Sequence, residues 1–561
     1  GSATIPESGG VSFNFPASEQ FGEFKLLTGT YSSEYGRFGG GVEVFITKSG
    51  TNDLHGGAFW NLRRDIFNAA GYNVNRNPAN PAGFRPKERF NEAGGVIGGP
   101  VWLPKVYDGR NKTFWYFTYA KDLRPASLGF PVLTVPQTAW KDGNFAGSQV
   151  VYDPATTSGN TRTPFAGNII PRSRFSRVAT NVLPLIPNPT NPVIANNFAY
   201  VNTSKVNDYH YSLKFDHAFS NSNRLSYYMS RQNQDIQNTT NFDGPIGNGL
   251  GSNTQQPENY RVNHDLVLKP TLLIHSTFSF TRQQQGWDNP AQKGFGSKIG
   301  IPDVNGLSDA FPRVNFVGAD NLSAWGVQDG KVSNGTQFNW TYHLTQGITY
   351  LTGKHEIKIG WDWRNLRTFS DPLDLAGTNG QFFFNRAQTA LPSALTTTGN
   401  AFASMLLGAA DSANRSVVPE SLIFGIRYGY TAGYFQDNWK VNSRLTLNLG
   451  MRYEVPIGWH EKNGDYSHID LTKPNPGAGG LPGTLVFGGF GAGRSNVKRF
   501  YPTDFSNIGP RVGFAYRLAN KTVLRGGWGV YYQTLGNGGC GCRLGYGSGL
   551  ISYVSDGLNQ A

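Results

Sequence analysis

Long stretches in which apolar and polar residues alternate one by one constrain this chain more than any other feature. The clearest runs from Arg444 to Val455. Leu445, Leu447, Leu449, Met451, Tyr453 and Val455 fall on one face, and Arg444, Thr446, Asn448, Gly450, Arg452 and Glu454 fall on the other. Successive side chains of a strand point to opposite faces, so a period of two sustained over this length predicts a strand. His355, Ile357, Ile359, Trp361 and Trp363 oppose Glu356, Lys358, Gly360 and Asp362 in the same way. Tyr209, Tyr211, Leu213 and Phe215 oppose His210, Ser212, Lys214 and Asp216, and Val512, Phe514, Tyr516 and Leu518 oppose Arg511, Gly513, Ala515 and Arg517. Such runs exceed the usual strand of ~5–6 residues. They match the roughly 9–11 residues that cross a bilayer at a tilt. Each also carries charge on its polar face. A soluble sandwich would place that face in bulk water, and a large barrel would place it in a wet lumen.

The connections separate these two architectures. Tight turns join several pairs, at Ser220 to Asn223, Lys269-Pro270, Thr352-Gly353, Asn442-Ser443 and Ala519 to Lys521. Long Gly-, Asn- and Pro-rich connections run between the hairpins, at 125–207, 232–257, 286–336, 370–420 and 456–506. Short turns on one side and long loops on the other are the pattern of an outer-membrane barrel. A sandwich would show turn signals every ~8–12 residues. Aromatic residues gather near strand ends, as at Trp60, Trp102, Trp115 with Tyr116, Trp361 with Trp363, and Trp439, where membrane interfaces favour Trp and Tyr.

Composition agrees with an all-β chain. Gly accounts for 71 of 561 residues, aromatics for 14% and charged residues for only 16%. No apolar run reaches the ~18 residues of a transmembrane helix. The mean hydropathy of −0.40 does not exclude a membrane barrel, because only every second residue of its strands meets lipid. The net charge of +13 is scattered along strands and loops, with no Lys/Arg block of the kind that binds nucleic acid. Cys540 and Cys542 are too few for a disulfide scaffold and are read as loop residues. The first ten residues have neither the basic nor the apolar region of a signal peptide.

The stretch from Gly29 to Gly57 joins a glycine run (Gly39, Gly40, Gly41), a short β segment (Val42 to Thr47) and a turn (Lys48 to Asn52), after which a new alternating strand begins. Its wording, SSEYGRFGGG and then TKSGTNDLHGG, resembles the end of the plug domain of TonB-dependent outer-membrane receptors, most closely the Oar-like branch. NEAGGVIGGPV at 91–101 and YDGRNKTFWYFTYAKDLRP at 107–125 are similar to that family's early barrel strands. GYFQDNWKVNSRLTLNLGMRYEVP at 433–456 and NIGPRVGFAYRL at 507–518 are similar to later hairpins. The similarity runs along most of the chain in the family's order. It implies a large antiparallel transmembrane β-barrel with the C-terminal part of an N-terminal plug: residues 1–52 plug, 53–561 barrel with long extracellular loops. About a dozen strands are legible, whereas the resemblance implies a barrel of about 22. The start lacks a TonB box and early plug, and the end lacks a terminal aromatic strand. The barrel is therefore expected to be incomplete at its C-terminal end.

No catalytic constellation, cofactor motif or metal-ligand pattern is present. His210 and His217, seven apart, face opposite sides of a strand. GITYLTGKH at 347–355 is one residue too long for a phosphate loop and sits in a hairpin. Gly247, Gly249 and Gly251 lack a strand-to-helix setting. The expected chemistry is geometric: a plug held in a barrel by polar contacts that can break without exposing an apolar core. Glu34, Arg37, Glu43 and Lys48, charged and close to glycines at the plug–barrel junction, are expected to bond to Arg, Asp or Glu of the lumen wall. Arg172, Arg174, Trp287, Trp325, Trp340 and Arg386 are candidate ligand contacts, since Trp stacks on sugars and Arg binds anions.

The resemblance implies energised, ligand-gated uptake of a large solute (glycan, peptide or chelate) across the outer membrane of a Gram-negative-type bacterium. The implied partners are outer-membrane lipid, a TonB-type periplasmic energy transducer acting through a region absent from this sequence, and a large extracellular ligand. A surface adhesion or secretion-associated barrel without energy coupling, and a soluble β-rich carbohydrate-binding protein, are the alternative readings.

Overall fold

A computed structural model describes residues 18–29, 31–37, 41–67, 89–122, 127–129, 131–237, 241–247, 252–288, 290–301, 309–318, 321–326, 334–371, 380–417, 424–499, 502–532 and 549–554. Cys540, Cys542, Gly249 and Gly251 lie outside the described residues.

The chain opens with a two-stranded antiparallel hairpin, β1 (Phe21–Thr28) and β2 (Gly41–Thr47). The second strand falls where the sequence reading placed its short β segment, Val42 to Thr47. The wall follows as thirteen strands: β3 (His55–Arg64), β4 (Arg89–Pro100), β5 (Thr113–Asp122), β6 (Asn202–Ser220), β7 (Asn223–Gln237), β8 (Ser252–Lys269), β9 (Leu272–Asp288), β10 (Asn334–Thr352), β11 (His355–Asp371), β12 (Phe424–Lys440), β13 (Leu445–Glu461), β14 (Asn507–Ala519) and β15 (Thr522–Gly529). Each pairs antiparallel with the next, so the order in the sheet is the order in the chain. A short strand, Ser127–Gly129, pairs with the start of β6. Among the described residues, β3 and β15 end the sheet on either side.

The alternation read from the sequence separates the two faces of this wall. On β13, Arg452 and Glu454 are buried while Met451 is 49% exposed. On β11, Asp362 and Arg364 are buried while Ile359 is 52% exposed. The buried polar side faces the N-terminal hairpin, and the exposed apolar side is the one that lipid would solvate.

Strand length departs from expectation. In place of roughly 9–11 residues, the central strands reach 19, in β6 and β10. At ~3.3 Å per residue and a tilt of about 40°, such a strand rises well beyond an apolar band ~25 Å tall. The wall therefore projects past the membrane on the side of the long connections. The alternation reads as shorter because the upper parts are polar on both faces, as in Arg231 to Gln234 and Thr281 to Gln285.

The long connections are also more ordered than their composition suggests. Segments from 131–200, 241–247, 290–301, 309–318, 321–326 and 380–417 share one apolar core, in which Phe145, Ile170, Phe311, Trp325, Phe402 and Leu406 are fully buried. A four-stranded sheet of Arg313–Val317, Gln381–Asn385, Ser412–Val417 and Gly549–Val554 joins this cap. Helix α1 (Ala401–Leu407) runs through it. Asn400 caps that helix, accepting from the backbone N–H of Phe402 and Ala403 at 2.9 and 3.1 Å. Arg162 donates to three carbonyls, of Ala387, Gln388 and Ala390, and so ties the first long connection to the fourth.

Candidate functional site: the turn docked against the wall

Between β1 and β2 the chain makes a tight turn over Tyr31 to Arg37, and this turn meets the polar face of β11 to β14. The polar positions of the alternating strands supply the wall side. Arg452 donates through Nη1 to the carbonyls of Ser33 and Glu34 at 3.2 and 3.3 Å. Arg511 donates to the carbonyls of Tyr31, Ser32 and Tyr35 at 3.3, 2.7 and 2.7 Å. Gln436 accepts from the Ser33 N–H at 3.1 Å. Five backbone carbonyls of one turn thus face two buried guanidiniums, which take the place of solvating water.

A charge network holds those arginines. The Nη2 of Arg452 donates to Asp362 at 2.8 Å and to the Tyr430 hydroxyl at 3.0 Å, and its Nε to Glu454 at 3.2 Å. Asp362 also receives Arg364 at 3.1 Å and His343 at 2.9 Å. Taking such groups out of water costs several kcal/mol per ion unless each is paired. Here Asp362 has three donors, Arg452, Arg364 and His343, and Glu454 has Arg452. The arginines outnumber the carboxylates, and the surplus is spread over aromatic faces: Arg511 lies 5.0 Å from the Tyr31 ring centre and 4.4 Å from that of Tyr531.

Close approach depends on glycine. A Cβ on Gly36 would lie 2.2 Å from Arg452 Nε and 2.7 Å from a Glu454 oxygen, and one on Gly450 would lie 2.2 Å from Ser33 Oγ. Both contacts are far inside van der Waals distance.

The four junction residues behave differently from one another. Glu34 stands 3.6 Å from Lys358 of the wall. Arg37 is buried, adopts a left-handed φ of 68°, and packs over the Tyr430 ring at 4.7 Å. Burial, together with the positive charge of Arg364, pulls its guanidinium down to about 10, so it stays charged at neutral pH. Glu43 and Lys48 lie on the exposed part of the hairpin, and neither side chain forms an ion pair with the wall among the described residues. Further contacts come from Lys214, which donates to the Thr47 carbonyl and to Ser49 at 3.3 and 2.8 Å, and from Tyr228, which donates to Gln20 at 3.2 Å.

The ligand-contact candidates are dispersed. Trp325 is 1% exposed inside the cap core, and Arg386 is buried, donating to the Thr396 carbonyl and to Gln149 at 2.9 and 2.8 Å. Arg174 forms a bidentate pair with Asp153 at 2.5 and 2.8 Å, and Arg172 pairs with Asp142 on the surface. Trp287 and Trp340 belong to wall strands rather than to loops, and Trp340 sits on the outward face. Core packing accounts for Trp325, and carbonyl or carboxylate pairing accounts for Arg386 and Arg174. Sequence reasoning did not single out Arg452, Asp362, Arg364 and Arg511. Their signal was a charged residue on the polar face of a long alternating strand.

This arrangement is a membrane wall with a chain segment docked on its lumen face. Residues 46–549 match the family described as "Outer membrane beta barrel domain", and the chain belongs to that family. The assignment places the protein in the outer membrane of a Gram-negative-type cell. Over 118 residues, 19% of this chain, it is 28% identical to the TonB-dependent transporter Oar of Myxococcus xanthus. The matched part spans 11% of that relative's length. Among solved structures, it is similar to the ferric-catecholate import receptor Fiu of E. coli K12 in its open form. Identity there is 10% and the TM-score 0.41, over 92% of this chain and 60% of that one. It is also similar to the ferric enterobactin receptor PfeA of Pseudomonas aeruginosa, with 11% identity and a TM-score of 0.43, over 94% of this chain and 51% of that one. The copper transporter OprC shows 8% identity and a TM-score of 0.42, over 92% and 51%. The relatives named are transporters and receptors.

Proposed function

We propose that this chain is the plug end and much of the wall of a TonB-dependent outer-membrane receptor that takes up a large solute by energised, ligand-gated opening. The division falls at residues 1–52 for the plug and 53–561 for the wall and its outer loops. Residues 48–54 support it, since they leave the hairpin and lead to the first wall strand at His55.

One observation carries the reading. The turn at 31–37 is held by hydrogen bonds from wall arginines to its own carbonyls, not by an apolar core. Water can replace such contacts as they open, so each bond from a charged guanidinium contributes only ~1.5–3 kcal/mol net. A mechanical pull from the periplasmic side can therefore release them in turn without exposing apolar surface. Glu34 and Arg37 act as charged anchors of that latch, and Glu43 and Lys48 lie where the transmitted pull would first act. The solute is a glycan, peptide or chelate too large for a porin, and the long outer loops are its landing surface.

The test is accumulation of fluorescent dextrans, oligopeptides and ferric chelates by cells carrying the full-length protein, with and without a protonophore. Energised uptake predicts that the protonophore abolishes accumulation of one class and leaves its surface binding intact. An adhesion or secretion-associated barrel predicts binding that is the same in both conditions and never becomes accumulation.

A further inference from the structure

The outward face of the wall carries a row that transport does not use. Cross-strand register places Arg231 opposite Glu258, Glu258 opposite Arg282, Arg282 opposite Trp340, Trp340 opposite Arg367, and Arg367 opposite Arg427. One level runs without a break across β7 to β12. His460 of β13 continues it beside Arg427, and Lys498 and Arg499 lie within electrostatic range of His460. Parity puts this row on the lipid side. Ser230, Asn259, Thr281 and Leu366, each one position away, belong to the face that holds the docked turn.

The rows beneath it grade as a membrane interface does. Immediately below come Met229, Tyr260, Phe280 and Tyr342, with ring centres 6.2 Å apart for Tyr260–Phe280 and 4.9 Å for Phe280–Tyr342. The next row is Tyr227, Val262, Phe278, Leu344 and Trp363. An apolar band, an aromatic girdle and then a basic row is the order met on leaving the hydrocarbon. Height agrees. Glu258 is eleven residues from the turn at Lys269 and Trp340 twelve from the turn at Thr352. At ~3.3 Å per residue and a tilt of about 40°, that is roughly 28–30 Å above the short turns, the level of the far leaflet's headgroups.

The row is also short of acceptors. Four arginines face one carboxylate, Glu258, which lies 3.3 Å from Arg231 and 4.0 Å from Arg282. Two neutral amides take one further bond each: Arg282 donates to Gln284 at 2.8 Å, and Arg367 to Asn365 at 3.0 Å. Asp235, four residues beyond Arg231, lies on the same face of β7 above this row. The Nε of Arg282, the indole N–H of Trp340 and the Nε of Arg427 have no hydrogen-bond partner among the described residues. Donors in that state cost the full desolvation of the group unless something else accepts from them.

We infer that this row binds the phosphate groups of an anionic glycolipid of the outer leaflet. Phosphate oxygens accept from arginine bidentately, and basic pockets on membrane walls take phosphorylated headgroups. The acyl chains would lie along the apolar row below, and Tyr260, Phe280 and Tyr342 would sit at the level of the sugar. The inference rests on the membrane wall alone and stands whether or not the protein transports anything.

The test uses the full-length protein, delipidated in mild detergent, with native mass spectrometry to count bound lipid. Diphosphorylated lipid A, monophosphorylated lipid A and phosphatidylethanolamine are offered in turn, with inorganic pyrophosphate as a soluble competitor. Diphosphorylated lipid A is expected to bind most tightly. The triple variant Arg282→Gln, Arg367→Gln, Arg427→Gln should weaken it on the order of a hundredfold, from about 1 kcal/mol per basic residue near an anionic surface. The matching triple Lys variant should keep most of the binding, which separates lost charge from lost fold. Arg172→Gln, on an exposed loop, should change nothing. Equal binding of phosphatidylethanolamine, or unchanged binding by the Gln triple, would overturn the inference. Displacement by micromolar pyrophosphate would overturn the lipid assignment and leave a site for a soluble anion.

Discussion

The cap and the docked turn are both buried, and they are held together by opposite means. In the cap, Phe145, Ile170, Phe311, Trp325, Phe402 and Leu406 pack with almost no exposed area. At the turn, Arg452, Asp362, Glu454, Arg364 and Arg511 are buried to a similar degree, yet the contacts are charge-assisted hydrogen bonds to backbone. Apolar packing is short-ranged and resists local opening, because a cavity cannot be filled by water at low cost. Charged contacts are costly to break singly, but water can replace them once the segment moves. The difference teaches that burial alone does not define a rigid region. The cap is held by packing that keeps its shape, and in the proposed function the turn is the part that leaves.

The largest effect expected is from Arg452→Ala. It strands Asp362 and Glu454 without their shared donor and leaves the Ser33 and Glu34 carbonyls unpaired, a loss of roughly 3–5 kcal/mol. Planar-bilayer conductance should show an open, leaking pore while the cap stays resistant to protease. Phe402→Ala should cost a comparable ~3–5 kcal/mol with the reverse pattern: cleavage within 380–417 by added protease, and no leak. A leak from the cap variant, or a protease-sensitive cap from the turn variant, would break the comparison.

Gly36→Ala is next. Its Cβ cannot fit beside Arg452 and Glu454, so the turn must shift, at about 1–3 kcal/mol. Sensitivity of cells to a bulky antibiotic should rise, though less than with Arg452→Ala. Arg37→Ala should raise it as well, by removing the packing over Tyr430.

The smallest effect belongs to the cap's partly exposed pair of Arg174 and Asp153. Burial raises the Asp153 carboxyl, but Arg174 and the Ala155 N–H outweigh that and hold it below its ordinary value. A depressed carboxyl contributes stability above its unfolded value of ~3.9, and that contribution is lost as pH falls through the lower folded value. Asp153→Asn should therefore cost about 0.5 kcal/mol at neutral pH. In thermal unfolding, the difference from wild type should shrink as pH falls below ~3.9 and vanish once the folded carboxyl is protonated.

The wall was legible because alternation is a property of neighbouring residues. Arg444 to Val455 shows its faces without any partner strand, and the tight turns at 220–223 and 352–355 set the pairing. The short β segment at Val42 to Thr47 was legible as well. The cap was not. Phe145, Trp325 and Phe402 come from three distant connections, and no local period marks residues that meet only in space. The docked turn was half legible. Glu34 and Arg37 drew notice as charges beside glycines, but the main acceptors are carbonyls of Tyr31 to Tyr35, which every sequence has. Trp325 and Arg386 drew notice by residue type, and type alone does not distinguish a ligand contact from a core anchor.

The central claim is that the turn at 31–37 rests against β11 to β14 and leaves when the system is energised. The most direct measurement is cross-linking by a short bismaleimide between Glu34→Cys and Lys358→Cys in the full-length protein in living cells, since those side chains meet across the docked face. The account predicts efficient cross-linking in protonophore-treated cells and a clear fall when the cells are energised and ligand is present. Cross-linking that is absent in treated cells, or equal in both conditions, would contradict it.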